Sequence, residues 1–205
     1  ECLYHPELRG RPVIERTMLA FENSRYIDEI VVVTQGEKIP VVANIARENG
    51  MQKLRSVITG GADRTASSWA GVQECSPHAG LIAIHDAARP LVTDEIIKNA
   101  VKAAQERGAA APAIHVKDTV RQARGGRVLR TLERDELYLM QTPQVFRADL
   151  IRAARLHISL TDDCAAVMLM DAEVFLTEGS EENLKLTTPA DLYAAEAILA
   201  ERGEN

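Results

Sequence analysis
The feature that most constrains this chain is an alternation: short β-branched runs recur between segments of helical period. "PVIERTMLAF" (12–21) spaces Val13, Thr17, Ala20 and Phe21 at helical intervals behind a proline suited to a first turn, and reads as a helix. "IDEIVVVTQ" is β-branched and continuous, "PVVANIARENG" returns to the helical period and stops on Gly50, and "KLRSVITGG" is a strand closed by two glycines. The order then repeats. "DRTASSWAGVQEC" is a helix, "GLIAIHD" a strand, "TDEIIKNAVKAAQERG" a helix capped by Thr93 and stopped by Gly108, and "AAAPAIHV" a strand. Parallel neighbours need a crossover connection, so the alternation predicts an α/β fold with a mostly parallel sheet and helices on both faces. A length of 205 residues suits one such domain better than two cores.

The pattern breaks at residues 118–140, "DTVRQARGGRVLRTLERDELYLM", where Gly125 and Gly126 lie between two polar runs with alternating apolar positions. This is a hairpin signal with little apolar surface to bury on its own domain. It reads as an arm that projects toward another subunit, with a plain surface hairpin as the alternative. "RADLIRAARL" and "DDCAAVMLMDA" then read as helices, "EVFLTEG" as a strand, and "TPADLYAAEAILAERG" as a closing helix with Thr188 as cap and Pro189 in its first turn.

Composition removes several classes of function. With 24 basic against 30 acidic residues the net charge is −6, which gives no footprint for a nucleic-acid backbone. No window approaches the roughly 18 uninterrupted apolar residues of a membrane span. Cys2, Cys75 and Cys164 are odd in number and lack metal-ligand spacing, so they read as free thiols in a reducing, cytoplasmic compartment.

In an open parallel sheet, ligands bind beyond the carboxyl ends of the strands. "ITGGADRTAS" (58–67) places Gly60 and Gly61 directly after a strand, with Arg64 and Ser67 at the opening of a helix. Glycines allow close backbone approach and helix amides favour an anion, although an ordinary turn explains the same residues. "IHDAARP" (84–90) ends a strand on Asp86, which is placed to hold Mg²⁺ together with substrate phosphates, and on Arg89, which grips a phosphate or simply pairs with Asp86. His85 reads as a satisfied hydrogen-bonding residue. Lys185 of "ENLKLTTP", with Arg134 and Thr142 of "TLERDELYLMQTPQ", has the chemistry to meet phosphate or hydroxyl groups, and each is also explained as a solvated or turn residue. "LTDDC" is most simply a helix start capped by Thr161.

"TGGADRTAS", "IHDAARP", "KDTV", "TLERDELYLMQTPQVF", "LTDD" and "ENLKLTTPADL" occur in the order and approximate spacing of one family, so that from about Gly10 onward the chain resembles the 2-C-methyl-D-erythritol 4-phosphate cytidylyltransferases of the non-mevalonate isoprenoid pathway. The resemblance implies a single Rossmann-like nucleotidyltransferase domain whose arm, residues 118–140, forms a homodimer. It implies transfer of a cytidylyl group from CTP to the sugar-alcohol phosphate, with Mg²⁺ or another divalent cation. It places metal binding on Asp86 and nucleotide binding on Gly60, Gly61, Arg64, Ser67, Asp86 and Ala87. Sugar-phosphate contacts fall on Arg89, Thr119, Arg134, Thr142 and Lys185, and catalysis on Lys185, Asp86 and Arg134.

Three departures accompany the resemblance. The family's Gly-rich N-terminal loop, with an arginine and a lysine on the triphosphate, has no counterpart: "ECLYHPELRGRP" begins about where it should end, and Leu3 or Tyr4 stands where the lysine is expected. Ser68 and Trp69 stand where an apolar residue usually follows the serine, and "AARLHISLTDD" is shorter than the family's spacing. Residues left out of the sequence are the simplest account of the first and third, and a degenerate homologue unable to hold the triphosphate is the other. A ribitol-5-phosphate cytidylyltransferase and an inactive dimeric nucleotide-binding homologue are the alternative readings.

Overall fold
The structure, a computed structural model, describes residues 7–154 and 162–204. A small ribbon of β1 (Glu7–Leu8) and β2 (Arg11–Pro12) leads into α1 (Val13–Asn23), followed by β3 (Ile30–Thr34), α2 (Ile39–Glu48), β4 (Leu54–Thr59), α3 (Arg64–Glu74), β5 (Leu81–Ile84), α4 (Asp94–Arg107) and β6 (Ala109–His115). The arm is β7 (Arg121–Arg124) and β8 (Arg127–Thr131), and the chain returns through β9 (Tyr138–Met140) and β10 (Gln144–Arg147). It ends with α5 (Ala148–Ala153), α6 (Asp163–Met168), β11 (Phe175–Glu178) and α7 (Pro189–Glu201).

Local chemistry sets the helix ends. Thr93 Oγ1 accepts the Ile96 amide at the start of α4, and Gly108 stops that helix with φ +96°, a conformation that costs a glycine little. Asp63 caps α3 by accepting the Ala66 amide at 2.7 Å. Asp191 Oδ2 accepts the amides of Thr187 and Thr188 and so closes the first turn of α7. Thr161, the expected cap of α6, lies outside the described residues. Asp162 caps that helix, accepting the Ala165 amide at 3.0 Å.

The sheet is mixed rather than mostly parallel. β3·β4 and β6·β11 are parallel ladders, as the alternation predicts. β10, unread as a strand in the sequence, runs antiparallel between β5 and β6, and β9 continues antiparallel along β6. The arm is the cause: it reverses the chain after β6, so the returning limb pairs antiparallel where a crossover helix would have given a parallel partner. Helices cover both faces. Val72 of α3, Ile151 of α5 and Val167 of α6 pack with Ile82 and Phe146 on one face, while Ala100 and Ala104 of α4 lie on Ala110 and Val145 on the other. The run of small residues in β6 allows α4 this close approach.

β3 and β5 do not bond to each other, and a cleft of about 1000 Å³ separates their facing edges, with Val31 and Val33 on one wall and Ile82 and Ile84 on the other. The arm is exposed along both strands, Gly125 and Gly126 take φ +56° and +76° at its turn, and Arg124 pairs directly opposite Arg127. Among the described residues no helix is long and apolar enough to cross a membrane.

Phe146 is fully buried on the returning strand. Phe146→Ala is expected to lower the unfolding free energy by about 3–5 kcal/mol, read as a shift of the urea midpoint. A loss below about 1 kcal/mol would mean that β10 is not the centre of this core.

Candidate active site
The loop between β4 and α3 is fixed by its own glycines. The Gly61 amide donates to Ser67 Oγ, and Ser67 Oγ donates to the Asp63 carbonyl. A Cβ on Gly60 would lie 2.7 Å from Ser67 Oγ, and one on Gly61 2.4 Å from the Ala66 Cβ, so the loop lies against the start of α3 with no room for a side chain at either position. Arg64, at the first turn of α3, reaches across to the buried carboxylate of Asp163 at 2.6 Å.

After β5 the chain is held by a relay of hydrogen bonds. His85 Nε2 lies 3.2 Å from the Arg89 carbonyl, which can only accept, so Nε2 carries the proton and Nδ1 accepts from Thr142 Oγ1 at 3.0 Å. The same Thr142 oxygen accepts the Asp86 amide at 3.1 Å. The relay fixes the loop carrying Asp86, with the Thr142 hydroxyl committed to it. Asp86 Oδ2 meets Lys185 Nζ at 3.0 Å and Arg89 Nε at 3.5 Å, and Arg89 Nη1 donates to the Asn183 carbonyl at 2.6 Å. Burial raises the Asp86 pKa, but Lys185, Arg64 and Arg89 outweigh it, and the carboxyl sits below its ordinary value.

These groups surround a pocket of about 310 Å³ whose walls include Arg64, Asp86, Arg89, Thr142, Asp162 and Lys185. Three cations and two carboxylates face one space, an arrangement suited to a polyphosphate accompanied by a divalent cation. The pocket meets the large cleft at Arg64 and Asp86, and Ser67 and Ala87 border that cleft. The Ala87 carbonyl accepts from Thr17 Oγ1, which anchors the loop to α1.

Of the residues expected from the sequence, Arg64, Asp86, Arg89, Thr142 and Lys185 meet on the pocket, Ser67 and Ala87 border the adjoining cleft, and Gly60 and Gly61 lie behind Ser67 and Ala66 without lining either space. Thr119 and Arg134 reach neither. Both are exposed at the base of the arm, where Arg134 donates to the Lys117 carbonyl and lies 3.9 Å from Asp135, away from the pocket of their own chain. Leu3 and Tyr4 lie outside the described residues. His85 is the satisfied hydrogen-bonding residue that the sequence suggested.

Several members of the site have no role in the sequence reading. Asp163 holds Arg64, and Gln144, 2 % exposed, accepts the amides of Asp163 and Cys164 through Oε1 while donating to Asp162 at 3.1 Å. "TDD" signalled a helix start, but nothing local indicated that its second aspartate faces a guanidinium 99 positions earlier in the chain.

The family model described as 2-C-methyl-D-erythritol 4-phosphate cytidylyltransferase matches residues 3–201. A protein of that description from Pelotomaculum thermopropionicum is 40% identical over 202 residues, covering 95% of this chain and 85% of its own. One from Halalkalibacterium halodurans is 37% identical, covering 96% and 88%. The crystal structure of a 4-diphosphocytidyl-2C-methyl-D-erythritol synthase from Anaerococcus prevotii superposes with a TM-score of 0.87 at 30% identity, covering 95% of this chain and 88% of that one.

Burial pushes the His85 pKa down from 6.5 to about 4. The unfolded chain therefore binds a proton more readily between those values, and the neutral imidazole's contribution to stability is complete above about pH 6.5 and lost as pH falls toward 4. Unfolding free energy measured by urea titration is expected to rise with pH across this window, and His85→Asn is expected to flatten the rise. An unchanged slope in the variant would show that another group controls it.

Proposed function
The chain belongs to the 2-C-methyl-D-erythritol 4-phosphate cytidylyltransferase family, and we propose that the pocket around Asp86 is where it carries out the family's reaction. That reaction moves a cytidylyl group from CTP to 2-C-methyl-D-erythritol 4-phosphate, giving 4-diphosphocytidyl-2-C-methyl-D-erythritol and pyrophosphate. A phosphate oxygen of the sugar alcohol attacks the α-phosphorus of CTP in line, and the bond to the pyrophosphate oxygen breaks. No nucleophilic side chain takes part, so catalysis rests on positioning and on charge.

The residues divide accordingly. Arg64, Ser67 and Ala87 border the cleft assigned to the nucleotide, and Gly60 and Gly61 shape the loop that presents them. Lys185 and Arg89 face the phosphates, with Lys185 neutralising charge that builds on the α-phosphoryl oxygens, and Thr142 holds the Asp86 loop in place at the sugar-phosphate end. Asp86 is the carboxylate fitted to hold Mg²⁺. Among the described residues no group of three His, Cys, Asp or Glu side chains could hold a metal ion, and Mg²⁺ commonly takes one or two carboxylates together with substrate phosphates. A divalent cation held there by Asp86 would supply Lewis-acid charge against the phosphates. The observation that carries this reading is that Asp86 lies 3.0 Å from Lys185 and 3.5 Å from Arg89 on the wall of a pocket that Arg64 also lines.

Thr119 and Arg134 serve the second subunit of a homodimer in this reading. Support comes from the exposure of both residues and of Val128 and Leu129 on an arm that finds little to pack against in its own chain. The free thiols of Cys75 and Cys164, with no membrane-crossing helix among the described residues, fit a cytoplasmic enzyme.

With CTP, the methylerythritol phosphate and Mg²⁺, pyrophosphate release is expected for the wild-type chain. Asp86→Ala is expected to lower turnover by about 100-fold or more, and Lys185→Ala by about 100- to 1000-fold, each with its circular dichroism retained. Wild-type turnover in Asp86→Ala would remove Asp86 from the chemistry. Deleting residues 120–131 is expected to give a monomer by sedimentation, with turnover reduced. An undiminished dimer would reject the arm as the interface.

A further inference from the structure
Lys185 sits in a segment without regular secondary structure, residues 179–187, and its own side chain is 44% exposed. A flexible side chain on an irregular segment is a poor device for placing a charge, so something must fix its base. Two residues further back, Asn183 is fully buried. Its Nδ2 donates to Gln141 Oε1 at 3.2 Å and to the Thr142 carbonyl at 3.1 Å, and its own carbonyl accepts from Arg89 Nη1. Gln141, 5 % exposed, completes the tie. Its Nε2 donates to the Ser180 carbonyl at 2.7 Å, and its Oε1 accepts the Ser180 amide at 3.2 Å. On the other side of Lys185, the Leu186 amide donates to the Ala88 carbonyl at 2.8 Å, and the Leu186 side chain is buried. A Cβ on Gly179 would lie 2.7 Å from Gln141 Oε1 and 2.9 Å from the Ala113 carbonyl, so the segment enters this tie with no space to spare.

We propose that Asn183 and Gln141 are positioning residues that set the reach of the Lys185 ammonium to the reacting phosphates. Neither faces the reaction through a charge of its own. Their side chains join the segment between β9 and β10, which carries Thr142, to the segment that carries Lys185, and the Asn183 backbone carbonyl receives Arg89 from the loop after β5. Without the Asn183 amide, the Thr142 carbonyl and Gln141 Oε1 lose a donor together, and the base of Lys185 is released from the site. The inference rests on the reading of Lys185 as a phosphate-facing charge.

A double-mutant cycle in the full chain separates positioning from general support. Asn183→Ala is expected to lower kcat by about 100-fold while changing the KM for CTP far less, because displacement by about 1 Å is enough for a loss of that size. In Lys185→Ala the same Asn183→Ala change is expected to cost little, since the charge it positions is already gone. Losses that multiply across the two sites would overturn the proposal. If Lys185→Ala alone has no effect, the reading of the site fails and the inference with it. Should Asn183→Ala fold poorly, Gln141→Glu removes the donor to Ser180 while keeping the acceptor for Asn183. The same non-additivity with Lys185→Ala is then expected, and additive losses there would again reject it.

Discussion
The site depends on one partly buried carboxylate being kept charged. Taking Asp86 out of water favours its neutral form, and the cost is met by Lys185 at 3.0 Å, Arg89 at 3.5 Å and the field of Arg64. The dependence is mutual, since two of the same cations would be crowded together without the carboxylate between them. The cluster thus holds positive charge in a fixed arrangement before any substrate arrives, which is the condition under which charge stabilises a transition state without reorganising.

The scaffold serves this cluster by bringing distant segments to one edge of the sheet. β5 delivers Asp86, the segment between β9 and β10 delivers Thr142, and the segment before α7 delivers Lys185. The tight loop at Gly60 and Gly61 brings the start of α3, and with it Arg64, against the same space. His85 is neutral and inward, and its role is to join Thr142 to the Arg89 backbone so that the loop bearing Asp86 cannot drift.

Much of this was legible in the sequence, and the parts that were not share a cause. Periodicity located every helix named from it, and Thr93 and Gly108 mark the ends of α4 where expected, because those signals are local. "QTPQVF" was legible as a motif but not as strand β10, and the direction of that strand depends on where the arm sends the chain. The pairing of Arg64 with Asp163, and the burial of Gln141, Gln144 and Asn183, have no periodic signature, since a polar side chain buried for the sake of a distant partner looks like a surface residue in one dimension. Asp86 was legible from a strand end and a family motif together, and Lys185 from its charge and the same resemblance, although its strand-like stretch takes no regular structure. Thr119 was named by resemblance alone and Arg134 by its charge as well, and one chain by itself gives them no ligand to meet.

The arm carries a conflict that one subunit does not relieve. Arg124 and Arg127 face each other across its turn, and like charges directly opposite weaken a hairpin. No acidic residue lies between Thr119 and Thr131, so the four arginines there leave the rest of the chain more acidic than its net −6. Dissolved salt therefore acts on the arm in two opposite senses: screening eases the repulsion that loosens the free hairpin, and it weakens any hold of that hairpin on an acidic surface. Ionic strength becomes a lever on how far the arm is its own structure and how far it is part of something else.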